Sequence, residues 1–246
     1  MDRMLFIAMS GAKETMTAQA INTNNLANVN TTGFRADFQS SLSQQVYGAG
    51  HPSRVYASVK DEGVDFTKGS IVSTGRELDI AINGEGWFAV QAADGTEGYT
   101  RAGDLKIDNL GRLTNGAGFT VLGNGGPISL PAHAKLEIGS DGTISIQPLG
   151  QPVNTLAVID RIKLVNPSND QLQKGIDGLM RLRHGKPAVE DASVRIVSGS
   201  LEASNVNSVG ALVRMIELAR QYEHHIKIMQ NAEENDRASA EIIKMS

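Results

Sequence analysis

Cysteine is absent from the 246 residues, which removes disulfide frameworks, thiolate zinc sites, iron–sulfur clusters and a cysteine nucleophile. Aromatic residues make up only 4%, too few to favour ring-lined carbohydrate or ligand pockets. Neither sign of charge dominates. With 23 Lys and Arg against 27 Asp and Glu the net charge is −4, so no basic field exists to hold nucleic acid or an anionic membrane. No stretch reaches the ~18 consecutive apolar residues of a membrane span. The opening segment lacks a basic leader, a continuous apolar run and a small-residue cleavage site, so no cleaved secretory signal is expected.

What is present is an uneven distribution of glycine and proline. Residues 1–32 hold one glycine, Gly11, and residues 200–246 hold one, Gly210; neither stretch contains proline. Both ends can therefore be helical. Between residues 63 and 150 there are 17 glycines, several in the turn pairs Asn83-Gly84, Asp94-Gly95, Asn115-Gly116, Asn124-Gly125 and Asp141-Gly142. Such pairs supply the positive φ of tight hairpins, and the runs Leu78–Ile82, Trp87–Val90 and Thr143–Ile146 have strand length and pattern. Residues 36–62 are polar, poorly periodic and read as a connector.

In the last segment Leu212, Met215, Ala219, Tyr222, Ile226 and Met229 follow a 3,4 spacing, which predicts a heptad seam on a helix capped by Asn207 or Ser208. The first segment keeps a seven-residue period through Leu5, Ala8, Ala12, Thr15, Gln19, Asn22, Leu26 and Val29, with Gly33 as its stop. That seam is poor in large apolar groups. Its burial offsets little of the backbone entropy, so this helix is not self-sufficient and needs other helices, from the same chain or from neighbouring subunits. An ordinary intramolecular helical hairpin is the alternative.

Several motifs imitate chemistry. Gly84-Glu85-Gly86-Trp87-Phe88-Ala89 matches a dinucleotide fingerprint, but that motif must open a helix, and here a strand follows; a hairpin turn is expected. His224-His225 lacks the spacing that presents two imidazoles to one zinc ion and reads as a solvated helix face, while His51, His133 and His184 stand alone. Asp104, Asp108 and Asp141 fall in turns, where aspartate serves the backbone. No catalytic, metal-binding or cofactor-binding residue is expected.

Two amide-rich patches, Asn24-Asn25-Leu26-Ala27-Asn28-Val29-Asn30-Thr31-Thr32-Gly33-Phe34 and Gly199-Ser200-Leu201-Glu202-Ala203-Ser204-Asn205-Val206-Asn207, are costly as helix unless their amides are used. Together with Met215-Ile216, Arg220 and Tyr222-Glu223 they closely resemble the terminal motifs of the bacterial flagellar rod and hook proteins. The stretch Thr74–Phe88, Tyr99-Thr100-Arg101, then Asp108, Gly111, Leu113 and Val121-Leu122-Gly123 resemble the β-body signature of the same family. Within it, the opening Met1-Asp2-Arg3-Met4, the segment Arg54-Val55-Tyr56-Ala57 and the compact length are most similar to proximal-rod members, with distal-rod members as the alternative.

The resemblance implies an α+β fold in which long N- and C-terminal helices, residues 1–35 and 203–246, form a paired coiled-coil inner domain. Residues 36–72 would be an extended connector and 73–202 a Gly-rich antiparallel β outer domain. It implies a non-enzymatic rod subunit of the periplasmic basal body, exported by the flagellar type III apparatus, without cofactors, whose partners are itself and other rod proteins. The assembly interface would comprise Asn24, Asn25, Leu26, Asn28, Val29, Asn30, Gly33, Phe34, Leu201, Asn205, Asn207, Leu212, Met215, Ile216, Arg220, Tyr222 and Ile226. A soluble β-domain enzyme or ligand-binding module with an accessory helical hairpin is the competing class.

Overall fold

A computed structural model describes residues 4–45, 55–150 and 156–245; Met1-Asp2-Arg3, His51 and Arg54 lie outside the described residues. Helix α1 spans Met4–Ala27 and helix α2 spans Ser208–Met245. Between them run β1 (Asp37–Gln45), β2 (Val55–Val64), β3 (Ile71–Ser73), β4 (Ile80–Asn83), β5 (Trp87–Gln91), β6 (Glu97–Thr100), β7 (Lys106–Ile107), β8 (Leu113–Thr114) and β9 (Thr120–Gly123). There follow β10 (Gly126–Pro127), β11 (His133–Ile138), β12 (Thr143–Pro148), β13 (Ala157–Arg161), β14 (Leu164–Val165), β15 (Leu172–Lys174), β16 (Met180–Leu182), β17 (Arg195–Ser198) and β18 (Ser200–Glu202).

The chain divides into two compact units. The first holds Met1–Val29, Ala36–Asp65 and Val206–Ser246; the second holds Asn30–Arg35 and Phe66–Asn205. In the first unit α1 packs against α2, and β1 pairs antiparallel with β2 from Asp37↔Val64 to Gln45↔Val55 with one bulge. Gly63 lies under the Phe38 ring. The second unit is entirely antiparallel among the described residues. Its largest sheet has the order β15-β16-β6-β5-β9-β8-β7, with β10 on β9 and β14 on β5; β11-β12-β13, β17-β4 and β18-β3 are separate sheets.

Burial follows the local pattern. Strand β12 alternates, with Ile144 and Ile146 in the core and Thr143 and Ser145 between them. Strand β5 is paired on both sides and buried from Trp87 to Val90, which is why its run is continuously apolar. Asp94-Gly95 and Asp141-Gly142 make the expected hairpin turns, with the glycine at positive φ and the aspartate accepting the amide two residues on. At Asn115-Gly116 and Asn124-Gly125 the left-handed residue is instead Gly118 and Gly126. The Asn83–Gly86 turn joins β4 to β5, which are not paired with each other, so it is an arch between sheets and not a hairpin.

The expected coiled-coil pair of terminal helices is not what forms. There is one 24-residue helix and one 38-residue helix, and the side chains that α1 buries are small. Buried residues on α1 are Ala8, Gly11, Ala12 and Thr15 only, and on α2 Ala211, Leu218 and Ala232. Of the residues that spacing put in the seam, Leu212 is 50% exposed while Met215, Ala219, Tyr222, Ile226 and Met229 are half-buried, and Ile216 beside them is 56% exposed. The reason is steric. The face of α1 is made of alanine, glycine and threonine and takes no full layer of large interdigitating knobs; α2 buries Ala211, Leu218 and Ala232 and half-buries Met215, Tyr222, Met229 and the flat His225 ring, whose Cε1 would lie 2.4 Å from a Cβ at Gly11. His225 is thus half-buried in the helix pair and not on a solvated face, whereas His224 is exposed. The helices run antiparallel, since Gly11 meets His225 while Asn22 Nδ2 donates to Ala211 O at 2.8 Å.

Two predictions follow from the second unit, both readable from the lone Trp87. A Cβ at Gly103 would lie 1.8 Å from the Ile80 carbonyl oxygen, whereas one at Gly125 meets nothing within 4 Å. Gly103→Ala should lower unfolding stability by about 3 kcal/mol and Gly125→Ala should leave it within about 0.5 kcal/mol, in denaturant titrations of Trp87 fluorescence. The second concerns acid. Hydrogen bonds from Thr96, Thr143 and Ser193 hold Asp94, Asp141 and Asp191 below the ordinary 3.8, as do the Arg112 amide for Asp108 and the Arg181 guanidinium for Asp177. A depressed folded-state value stabilises above the ordinary value and is lost as pH falls through and below it. The unfolding midpoint should fall between pH 5 and pH 3, and Asp94→Asn with Asp141→Asn should flatten that dependence; an unchanged midpoint would contradict it.

Candidate functional site

The amides of the first patch serve the first unit's own backbone. Asn25 acts as a strand mimic: its Nδ2 donates to Asp37 O at 2.7 Å and its Oδ1 accepts from Asp37 N at 2.9 Å, tying the end of α1 to the start of β1. Asn28 Nδ2 returns to Asn24 O at 2.9 Å. Asn207 caps α2, its Oδ1 accepting from Gly210 N at 2.9 Å. Leu26, Val29, Met215, Tyr222 and Ile226 are half-buried, while Asn24, Asn30 and Arg220 are exposed along with Leu212 and Ile216. Asn24 and Ala27 end an open groove along α1 that also includes Met16, Ala20 and Thr23.

The remaining predicted residues gather in the second unit. Gly33 has φ 65° and donates its N–H to Glu202 O at 2.8 Å; a Cβ there would lie 2.3 Å from the Arg101 carbonyl carbon, so only glycine fits. Phe34 O accepts from Asn205 N at 3.3 Å, and Asn205 Nδ2 donates to Thr67 O at 3.0 Å. Lys174 Nζ sits 4.2 Å from the Phe34 ring centroid and donates to Arg35 O at 2.9 Å. Leu201 is half-buried in β18 opposite Val72.

These contacts surround a buried charge cluster that spacing did not reveal. Arg35, Arg101 and Glu202 are each 3% exposed or less. Glu202 Oε1 accepts from Arg35 Nη2 at 2.5 Å and from Gly69 N at 3.1 Å, while Oε2 accepts from Arg101 Nη1 at 2.9 Å. Arg101 Nη2 also donates to Gly84 O at 2.9 Å, pinning the β4–β5 arch. Both guanidiniums lie against the Trp87 ring, 5.8 and 5.4 Å from its centroid, and Phe66 meets the same ring edge-on at 6.2 Å. Burial pulls the Arg101 guanidinium below its ordinary value, and Glu202 opposes that. At the rim a hydrogen bond from Lys68 draws the Glu85 carboxyl down, against its partial burial, and the fields of Lys68, Arg101 and Arg35 add to the lowering.

Two cations share one buried carboxylate, and the bonds they make hold chain segments far apart in sequence together. Asp108 and Asp141 spend their carboxylates on Leu110, Arg112 and Thr143. Among the described residues no three His, Asp or Glu side chains are placed to hold a metal ion. The signal that could have found the cluster is a charged residue inside each amide or β motif: Arg35 directly after Phe34, Arg101 after Thr100, and Glu202 after Leu201.

Three family models match the chain in order: the flagella basal body rod protein model over residues 5–35, the flagellar hook protein FlgE/F/G D1 domain over 81–146, and the flagellar basal body rod FlgEFG protein C-terminal model over 197–242. Flagellar basal-body rod protein FlgF of Escherichia coli (strain K12) is 39% identical, with all of both chains covered, and FlgF of Salmonella typhimurium is likewise 39% identical over all of both. Flagellar basal-body rod protein FlgG of Bacillus subtilis is 34% identical, covering 94% of this chain and 96% of its own. With three family models matched in order and full-length similarity to FlgF proteins, the chain belongs to the FlgF family of flagellar basal-body rod proteins and is a structural subunit of that rod, not an enzyme.

Proposed function

We propose that the subunit joins the proximal part of the rod by covering the apolar faces of its terminal helices with those of neighbouring subunits, its own copies and other rod proteins. The observation that carries this reading is exposure. Phe6, Met9 and Met16 on α1 and Val209, Leu212, Val213 and Ile216 on α2 are each at least half exposed, and those on α2 recur three or four residues apart, which makes a contiguous apolar stripe of the kind that marks an interaction surface. The terminal segments 1–35 and 203–246 carry the axial contacts, and the β-rich stretch 73–202 carries lateral ones that stiffen the shaft against torque. Asn24, Leu26, Leu212, Ile216, Arg220 and Tyr222 belong to the assembly surface; Asn25, Asn28 and Asn207 shape the backbone that presents it.

The assembled helices enclose the export channel. The subunit reaches the periplasmic space through the flagellar type III apparatus, for which a chain without cysteine is well suited, since no crosslink can form before threading. Ile216→Asp tests the assignment. Because Ile216 is exposed, the substitution should change the stability of the isolated chain by no more than about 0.5 kcal/mol, yet in a motile bacterium expressing only this variant it should abolish swimming and remove the subunit from purified basal bodies. Normal incorporation of Ile216→Asp would show that this face is not the interface.

A further inference from the structure

We infer that the apolar stripe at the start of α2 in one copy of this chain lies along the groove at the end of α1 in the next copy, at the same height along the helices. This rests on the rod-subunit reading above and names the surface each copy offers the other. The groove runs from Met16 to Ala27, about 16 Å at 1.5 Å per residue, and its second half is lined by the small side chains of Ala20, Thr23 and Ala27. The stripe of Val209, Leu212, Val213 and Ile216 spans about 10 Å and fits within that length.

A chain cannot fill its own groove with this stripe. At 3.6 residues per turn, Ala20 lies about 160° round α1 from Asn22, which bonds to α2, and Ile216 lies about 140° round α2 from Ala211, which accepts that bond. Groove and stripe therefore face away from the partner helix, and joining them between copies makes a heterologous contact, the kind that repeats. Within each copy the height is set by Gly11 beside His225 and Asn22 bonded to Ala211. Between copies at one height the same correspondence sets Ile216 at Ala20, Val213 at Thr23, Leu212 at Asn24 and Val209 at Ala27, each large apolar side chain opposite a smaller one.

Charge selects this register. Lys13, seven residues before Ala20, and Glu223, seven after Ile216, share those faces and are exposed, and among the described residues neither is in an ion pair. The correspondence sets them opposite each other. A slip of three residues one way replaces Glu223 with Arg220, and of four the other way with Lys227, both exposed cations that would repel Lys13.

The absence of cysteine makes a crosslinking test clean. Chains carrying Ala20→Cys and chains carrying Ile216→Cys are produced together in a motile bacterium, and thiols are oxidised in the purified basal bodies. A disulfide-linked dimer containing one of each is expected, with a yield about tenfold lower when Ala18→Cys, on the opposite side of α1, replaces Ala20→Cys. No mixed dimer, or equal yield from Ala18→Cys, would overturn the pairing. Should the cysteine variants not assemble, charge reversal decides. Lys13→Glu and Glu223→Lys should each lower the amount of subunit in basal bodies, and both in one chain should restore it; a double variant no better than either single one would overturn the pairing. Exclusion of Ile216→Asp together with no mixed dimer would remove this pairing and leave the rod role standing.

Discussion

The Glu202 carboxylate accepts from two guanidiniums and a backbone amide where water does not reach, and the threading of the second unit depends on it. The chain enters or leaves that unit four times, next to residues 30, 35, 66 and 205. Its residues at those points are bonded to one another or to Glu202: Gly33 through the Glu202 carbonyl, Arg35 and Gly69 through the carboxylate, and Asn205 through Phe34 and Thr67. Removing one partner from a buried pair strands a charge and costs about 3–5 kcal/mol. One acidic side chain thereby ties segments far apart in sequence to the same few ångströms of the β unit.

Much of that unit was legible in the sequence because its signals are local. Asp94-Gly95 and Asp141-Gly142 specify turn chemistry within four residues, and the alternation at Thr143–Ile146 shows which side chains face the core. Asn207 as a helix cap and the use of the Asn25 amide rest on equally local rules. The charge cluster was not legible. Residues 35, 101 and 202 come together only through the antiparallel pairing of distant strands, and no period links them.

The helix pair failed for a different reason. Spacing assigned the inward face of α2 to a seam from Leu212 to Met229, but a helix packs to fit its partner, and the partner here offers Ala8, Gly11 and Ala12, so the buried positions are Ala211, Leu218 and Ala232 and the seam residues after Leu212 are only half-buried. The His225 ring lies over Gly11, and the large side chains Leu212 and Ile216 are exposed. In a solitary globular protein that pattern would be poor design. The β unit carries a core of its own; on the assembly proposed above, the exposed apolar side chains of the helical unit are what neighbouring subunits cover.

That division is tested most directly by comparing amide hydrogen exchange in the isolated chain with exchange in purified basal bodies. If the helices are completed by neighbouring subunits, amides of α1 and of α2 around Leu212 and Ile216 exchange rapidly in the isolated chain and become strongly protected in the rod, while Ala89 and its sheet neighbours are unchanged. Equal protection of the helices in both states would contradict it.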